Sequence, residues 1–417
     1  MRDVLPAEKA KRDAVLATIR ATYRRFGFQE IETPALEPLS RLRSNQGGEN
    51  ESMLFEVLKR GLDRGEPIAP SDATDLALRY DLTVPLTRFY ASHQATLPAV
   101  FRALQIGTVW RAERPQKGRY RQFYQCDIDV IGEPGTLAEV DLLVSTLAAF
   151  DALGMGEDVT LLVNDRRVLH DLMTAAGVPE QNAPDALIAL DKLDKIGVDG
   201  VVAELEARDL APRPAIDTLM AAITALQTQG SPSDAPLMTG SFEVAPGRDV
   251  SLRELPEIVA AVVALRPDAR VVFDASLVRG MGYYTGAIFE IRHEGSSGSV
   301  AGGGRYDGVV GKWLGREVPA CGFSIGFERI IDLVPDQDAG RRRIALFYAD
   351  DAAPTDLLAL RSRLLGDSDA EVSLVKPPRK TNARFMDQLV EDGFTHVCDA
   401  RRAPEDAGDP EVRELRR

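Results

Sequence analysis

The feature that most restricts this chain is a pair of long strand-like runs joined by a short polar loop. Ala99 to Glu113 leads out, Arg114-Pro115-Gln116-Lys117-Gly118-Arg119-Tyr120 turns, and Arg121 to Ile131 returns. Long strands joined by so few residues pair antiparallel, because a parallel pair needs a crossover of a dozen residues or more. Alternate residues of a strand share a face. The return strand therefore sorts into Phe123, Gln125, Asp127, Asp129 and Ile131 on one side and Tyr124, Cys126, Ile128 and Val130 on the other. The second face is apolar apart from the Tyr124 phenol, while the first carries an amide and two carboxylates. That polar face is open to two readings. It is the wet side of a half-buried sheet, or it is a pocket floor whose acids receive an amine or an imidazole.

Charge tilts the choice toward a pocket. The 417 residues carry 64 acids and 50 bases, a net charge of −14, which argues against a general nucleic-acid coat protein. Yet Arg111, Arg114, Lys117, Arg119 and Arg121 stand together against Glu113 alone. The cluster is mostly arginine, whose planar fork suits phosphate or carboxylate better than simple solubility. A solvated hairpin tip is the ordinary reading of such a run. Beside a one-sided polar strand, it points instead to a site holding a polyanion next to a cationic group.

Two glycine-rich stretches and a third block follow. Arg279-Gly280-Met281-Gly282-Tyr283-Tyr284-Thr285-Gly286 leads into a strand, and Gly302-Gly303-Gly304-Arg305-Tyr306-Asp307-Gly308 lies just beyond. Glycines there are expected to let backbone approach a ligand. Neither stretch fits the phosphate-binding P-loop or the dinucleotide fingerprint, so a nucleotide would be held another way. In Gly322-Phe323-Ser324-Ile325-Gly326-Phe327-Glu328-Arg329 a strand turns into a helix with Arg329 in its first turn. Helix starts favour anions, and an arginine adds a full positive charge.

Length suits two or three domains. Residues 1–165 and 266–334 read as a strand-rich body, 166–265 as a helical insertion, 335–341 as a linker and 342–417 as a small βαβαβ tail. Residues 401–417 are Pro- and charge-rich and read as weakly ordered. Lys376, Arg379, Lys380 and Arg384 form a modest basic patch. Cys126, Cys321 and Cys398, like the four histidines, are scattered without metal spacing, so no metal site is expected and a reduced, cytoplasmic compartment is. No apolar run is long enough for a membrane span, and the N-terminus has no signal-like apolar region.

Together the three blocks resemble the signature motifs of class II aminoacyl-tRNA synthetases, and more closely those of the histidyl-tRNA synthetase family. Arg111 to Phe123 resembles that family's motif 2, Leu277 to Gly286 and Ala301 to Gly308 its two histidine motifs, and Gly322 to Arg329 its motif 3. Leu78-Arg79-Tyr80-Asp81-Leu82-Thr83-Val84-Pro85 resembles the segment that holds the amino acid's ammonium group. The likeness covers nearly the whole chain in order.

The resemblance implies an α+β fold: a class II antiparallel-sheet catalytic domain with a helical insertion and a short anticodon-binding-like tail. It implies ATP and Mg²⁺, L-histidine, tRNA(His) and a homodimer formed through residues 8–34. By position, Arg111 would bind the α-phosphate. Arg329 would bind the γ-phosphate and sandwich adenine against Phe123. Arg121 would add a triphosphate contact, Glu113 would lie near adenine or the tRNA 3′ end, and Arg279 would meet the reacting carboxylate. Asp81, Leu82, Thr83 and Gln125 would surround the ammonium. Asp129 and Tyr284 would hold the imidazole, with Tyr283 beside them. Gly282 departs from the acid many members carry, and Asp81 and Asp129 are shorter than the glutamates some use. The tail also ends sooner than is usual for the family. Two other readings remain: a non-catalytic regulatory relative from histidine biosynthesis, against which Arg111, Arg279 and Arg329 speak, and a histidine-activating ligase with an acceptor other than tRNA.

Overall fold

The computed structural model describes residues 1–43, 53–62, 69–114, 120–227, 237, 239–278, 284–335, 342–366, 370–378, 381–402 and 411–415. Arg279, Tyr283, the hairpin-tip residues 115–119 and the basic residues Arg379 and Lys380 lie outside the described residues. By contacts the chain forms two units, Leu16–Val334 with Met1, and Arg2–Val15 with Pro335–Arg417.

The strands of the first unit are β1 (Gln29–Glu30), β2 (Leu36–Pro38), β3 (Phe55–Leu58), β4 (Thr74–Leu78), β5 (Phe101–Trp110), β6 (Gln122–Ile131), β7 (Val159–Asp165), β8 (Ser241–Ala245), β9 (Arg248–Ser251), β10 (Arg270–Phe273), β11 (Ala287–His293), β12 (Ser299–Arg305) and β13 (Ala320–Gly326). Eight build one sheet in the order β1-β5-β6-β13-β12-β11-β7-β10. Every neighbour pair from β5 to β7 is antiparallel, and parallel strands close the two ends. This is the antiparallel-rich sheet of the α+β fold that the resemblance implies, with the expected hairpin inside it. β5 and β6 form that hairpin in register from Phe101↔Ile131 to Trp110↔Gln122. The buried apolar face of β6, with Cys126, Ile128 and Val130 at 0% exposure, faces the core.

The glycines of Gly302-Gly303-Gly304 belong to strand β12 itself. A side chain on Gly303 would run into the Gly322 carbonyl and come within 2.7 Å of Phe323 Cα; on Gly304 it would meet the Ala287 carbonyl at 2.5 Å and the Tyr284 ring at 3.0 Å. They serve close strand packing, and β12 runs through them to Arg305. At the end of that strand Arg305 forms a largely buried, two-pronged ion pair with Glu139 of the Leu137–Ala152 helix, at 2.6 and 2.7 Å.

Residues 166–265 hold five described helices, Arg166–Ala176, Ala183–Leu190, Leu193–Ala207, Arg213–Gln227 and Leu255–Leu265. Asp165 caps the first by accepting the Arg167 N–H at 2.7 Å, and Gly177 ends it at φ 92°. The same stretch contains the β8–β9 hairpin, which helical periodicity alone does not reveal.

The second unit contains β14 (Arg343–Phe347), β15 (Glu371–Val375), β16 (His396–Asp399) and β17 (Val412–Glu414), in the order β15-β14-β16-β17. β14 pairs in parallel with β15 and β16, as the βαβαβ pattern requires. Its alternation feeds two apolar clusters: Ile344 and Leu346 pack with Leu360, while Ala345 and Phe347 pack with Leu389. The last segment departs from the weakly ordered tail that composition suggests. Val412–Glu414 adds antiparallel to β16, and Val412 and Leu415 reach the two clusters. Three residues between charged neighbours are too few to show strand periodicity. Among the described residues, no helix is long and apolar enough to cross a membrane.

Candidate active site

The polar face of β6 is the floor of the site, and it is not wet. Asp127 and Asp129 are only 4% and 3% exposed. Register places Ala103 and Gly322 on either side of Asp129, and Gln105 and Ser324 on either side of Asp127. Gly322 is required there, since a Cβ would collide with Asp129 Oδ1 and lie 3.1 Å from the Tyr306 ring. Into that space the Tyr306 hydroxyl donates to Asp129 Oδ1 at 2.5 Å. Gln125 Nε2 donates to Asp127 at 3.3 Å and to Ser324 Oγ at 3.2 Å. Gln125 Oε1 is buried with no hydrogen-bond partner among the described residues.

The wall comes from the turn between β4 and the Thr83–His93 helix. Asp81 is buried, and its Oδ1 accepts the Val84 N–H at 3.2 Å. Leu82 is buried, and its carbonyl accepts from Gln105 Nε2 at 3.0 Å. Thr83 is half-buried at the helix start. Tyr284, also half-buried, packs on the cluster that includes Tyr306 and Val309.

Burial dominates the electrostatics of the floor. It pushes Asp81 up to about 6, opposed by the Val84 N–H and by Arg111. It pushes Asp129 up to about 7, with the Tyr306 hydroxyl pulling down and Asp81 pushing up. Asp127 is raised well above the usual carboxylate range by burial and by the charges of Asp129 and Asp81, against Ser324 and Arg111. Three carboxyls that feel one another in a buried space cannot all ionise cheaply. A cationic ligand relieves that conflict, and such a shifted cluster marks a functional cleft.

The arginines singled out by the sequence lie beyond this floor. Arg111 Nε donates to the Tyr80 carbonyl at 3.0 Å, and its guanidinium lies 5.1 Å from the Phe123 ring centre. Arg121 is exposed and donates from Nε to the carbonyl of half-buried Glu113 at 3.0 Å. Arg329 lies in the short Phe327–Ile330 helix, and its Nη1 donates to the carbonyl and hydroxyl oxygens of Ser299 on β12. Beside it, the Glu328 carboxylate accepts the Tyr124 N–H at 3.3 Å and ties this helix to β6.

Arg111, Phe123, Gln125, Asp81 and Asp129 are therefore brought together, while Arg121 and Glu113 pair at the hairpin edge and Arg329 is anchored through β12. Strand parity singles out the acids of β6, but it does not show Tyr306 as the donor to Asp129 or Ser324 as the neighbour of Asp127. Both lie inside blocks recognised as motifs. The signal for Ser324 is its alternation with Gly322 across β13.

Known proteins resemble this chain over most of its length. A family model described as histidyl-tRNA synthetase matches residues 1–330. A histidine–tRNA ligase from Leifsonia xyli subsp. xyli is 50% identical over 372 residues, covering 87% of this chain and 86% of that protein. The crystal structure of histidyl-tRNA synthetase from Nostoc sp. PCC 7120 aligns with a TM-score of 0.69 at 28% identity, covering 96% of this chain and 90% of that one. A structure from Bacillus halodurans C, titled an ATP phosphoribosyltransferase regulatory subunit/histidyl-tRNA synthetase, aligns with a TM-score of 0.71 at 19% identity over 97% of both chains, a likeness of fold alone. The eight-stranded antiparallel-rich sheet, the motif-bearing pocket and these matches lead to one conclusion: the chain belongs to the histidyl-tRNA synthetase family.

Proposed function

We propose that this chain is a histidine–tRNA ligase. It activates L-histidine with ATP and passes the histidyl group to the 3′ end of tRNA(His). The observation that carries this reading is a buried triad of carboxyls, Asp81, Asp127 and Asp129, set beside Arg111 and Phe123 in a chain of this family. It offers a cation-accepting floor next to an anion-accepting wall, as an amino acid meeting a triphosphate requires.

In the first step a carboxylate oxygen of histidine attacks the α-phosphorus of ATP in line. The new carboxyl–phosphate bond replaces the α–β phosphoanhydride bond, and pyrophosphate leaves. In the second step a terminal ribose hydroxyl of the tRNA attacks the acyl carbon, AMP leaves, and the hydroxyl proton passes to the departing phosphate or to water. No side-chain nucleophile is needed, so positioning and charge neutralisation carry the chemistry. Arg111 and Arg279 neutralise the α-phosphate and the reacting carboxylate. Arg329 holds the γ-phosphate and covers adenine opposite Phe123. Arg121 adds a triphosphate contact, and Glu113 lies at the adenine end. Mg²⁺ enters with the substrate as the metal complex of ATP, whose phosphate oxygens suit a hard cation.

Asp81, Leu82, Thr83 and Gln125 surround the α-ammonium. Asp129 and Tyr284 satisfy the two imidazole nitrogens, with Tyr283 alongside. Buried groups left unpaired by a wrong side chain are the basis for discrimination of roughly 10⁴–10⁵ without editing. The enzyme acts in the cytoplasm as a homodimer through residues 8–34, which sedimentation at assay concentration tests directly.

Transfer of labelled histidine to tRNA(His) in the presence of ATP is the deciding experiment. Charging that depends on both ATP and tRNA is the expected result. Adenylate formation without charging would point to another acceptor, and no adenylate at all would point to a regulatory protein.

A further inference from the structure

Asp127 is the acid of the floor to which the reaction above gives no task. It sits between Gln105 on β5 and Ser324 on β13, two residues along the same face from Gln125. The Gln125 amide is locked on one side only. Its Nε2 donates to Asp127 Oδ1 and Oδ2 at 3.4 and 3.3 Å and to Ser324 Oγ at 3.2 Å. Ser324 also faces Asp127 across the strand pair and favours its ionised form. Asp127 and Ser324 thus both accept from the amino end of the amide, which turns its carbonyl end the other way. That carbonyl oxygen, Oε1, is buried and unpartnered among the described residues. A buried acceptor without a donor is costly until a ligand supplies one.

We propose that Asp127 is a positioning residue for the amino acid's α-ammonium: with Ser324 it fixes the Gln125 amide so that Oε1 presents itself as an acceptor for that cation. The idea rests on the histidine-activating function proposed above and adds a residue to it. Charge reinforces the geometry. Arg111 and Ser324 favour the ionised form of Asp127, while burial, Asp129 and Asp81 oppose it. An incoming ammonium tips that balance toward the carboxylate, which keeps the amide oriented. A protonated Asp127 would instead be able to donate to the amide oxygen and turn it out of use.

The test separates the amine from the imidazole. Binding of L-histidine, and of imidazolepropionate, which lacks the amine, is measured by calorimetry on the full chain and on Asp127→Asn and Ser324→Ala. Thermal midpoints are recorded for each protein. Asp127→Asn is expected to weaken histidine binding on the order of 10-fold or more and to leave imidazolepropionate within about 2-fold. Ser324→Ala should weaken histidine in the same direction by less, because the Gln125–Asp127 contact survives. Equal losses for both ligands, or no loss for histidine, would overturn the positioning role. Pyrophosphate exchange by the unaltered chain is run alongside. Its failure would count against the enzyme reading, and binding would still decide the role of Asp127.

Discussion

At the scale of single residues, the pocket is governed by what burial does to acids. Tyr306 holds Asp129 with one short hydrogen bond. Tyr306→Phe keeps the ring and removes the donor, so Asp129 loses its fixed orientation. A loss of about 1–2 kcal/mol in histidine affinity is expected, or roughly 5- to 30-fold, with ATP affinity unchanged in equilibrium binding. Acid titration gives a second outcome. Asp81 and Asp129 are raised to about 6 and about 7 from 3.8, chiefly by burial. Between about pH 4 and about pH 7 the folded chain therefore keeps protons that the unfolded chain has released, and stability falls as pH rises through that window. Urea unfolding of the ligand-free protein at a series of pH values should show this decline, and Asp129→Asn should make it shallower. An unchanged slope in the variant would show that Asp129 is not the titrating group.

These residues also mark how far the sequence alone could lead. Alternation along β6 put Gln125, Asp127 and Asp129 on one face, and the arginine excess drew attention to Arg111 near them. What alternation could not decide was whether that face is wet, because burial depends on what the Asp81 turn and Tyr306 bring over it from distant parts of the chain. Tyr306 was not singled out as a partner of Asp129 because the two stand 177 residues apart in the chain.

At the scale of elements, the site depends on how closely strands can approach and on what clamps them. Gly303 and Gly304 let β12 lie close against β13 and β11, and Gly322 leaves room for Asp129 and the Tyr306 ring. Arg305 then clamps β12 to the Leu137–Ala152 helix through Glu139, with side-chain exposures of 11% and 4%. Removing one partner of such a pair strands the other charge. Glu139→Leu should cost about 3–5 kcal/mol, whereas Glu139→Leu with Arg305→Met should recover much of the loss. Urea unfolding of the two variants checks this, and a double variant no better than the single one would mean that the bonds of Arg305 to the carbonyls of Glu133 and Gly135 dominate. Short elements escaped the sequence for a related reason. β8, β9 and β17 span five, four and three residues, too few for period-two alternation to stand out from composition.

At the scale of the whole molecule, one chain combines the antiparallel sheet that carries the pocket with a separate parallel-centred sheet in the second unit. The order of motifs along the chain was legible because each occupies a continuous run. The pocket was only partly legible because it is assembled from β6, β13, the Asp81 turn and the residue after β12. The central claim is that this assembly activates histidine in particular. Its most direct test is ATP–pyrophosphate exchange by the full chain with each of the twenty amino acids in turn. The account predicts exchange with histidine, exceeding any other amino acid by roughly 10⁴ or more. Comparable exchange with a second amino acid, or none with histidine, would contradict it.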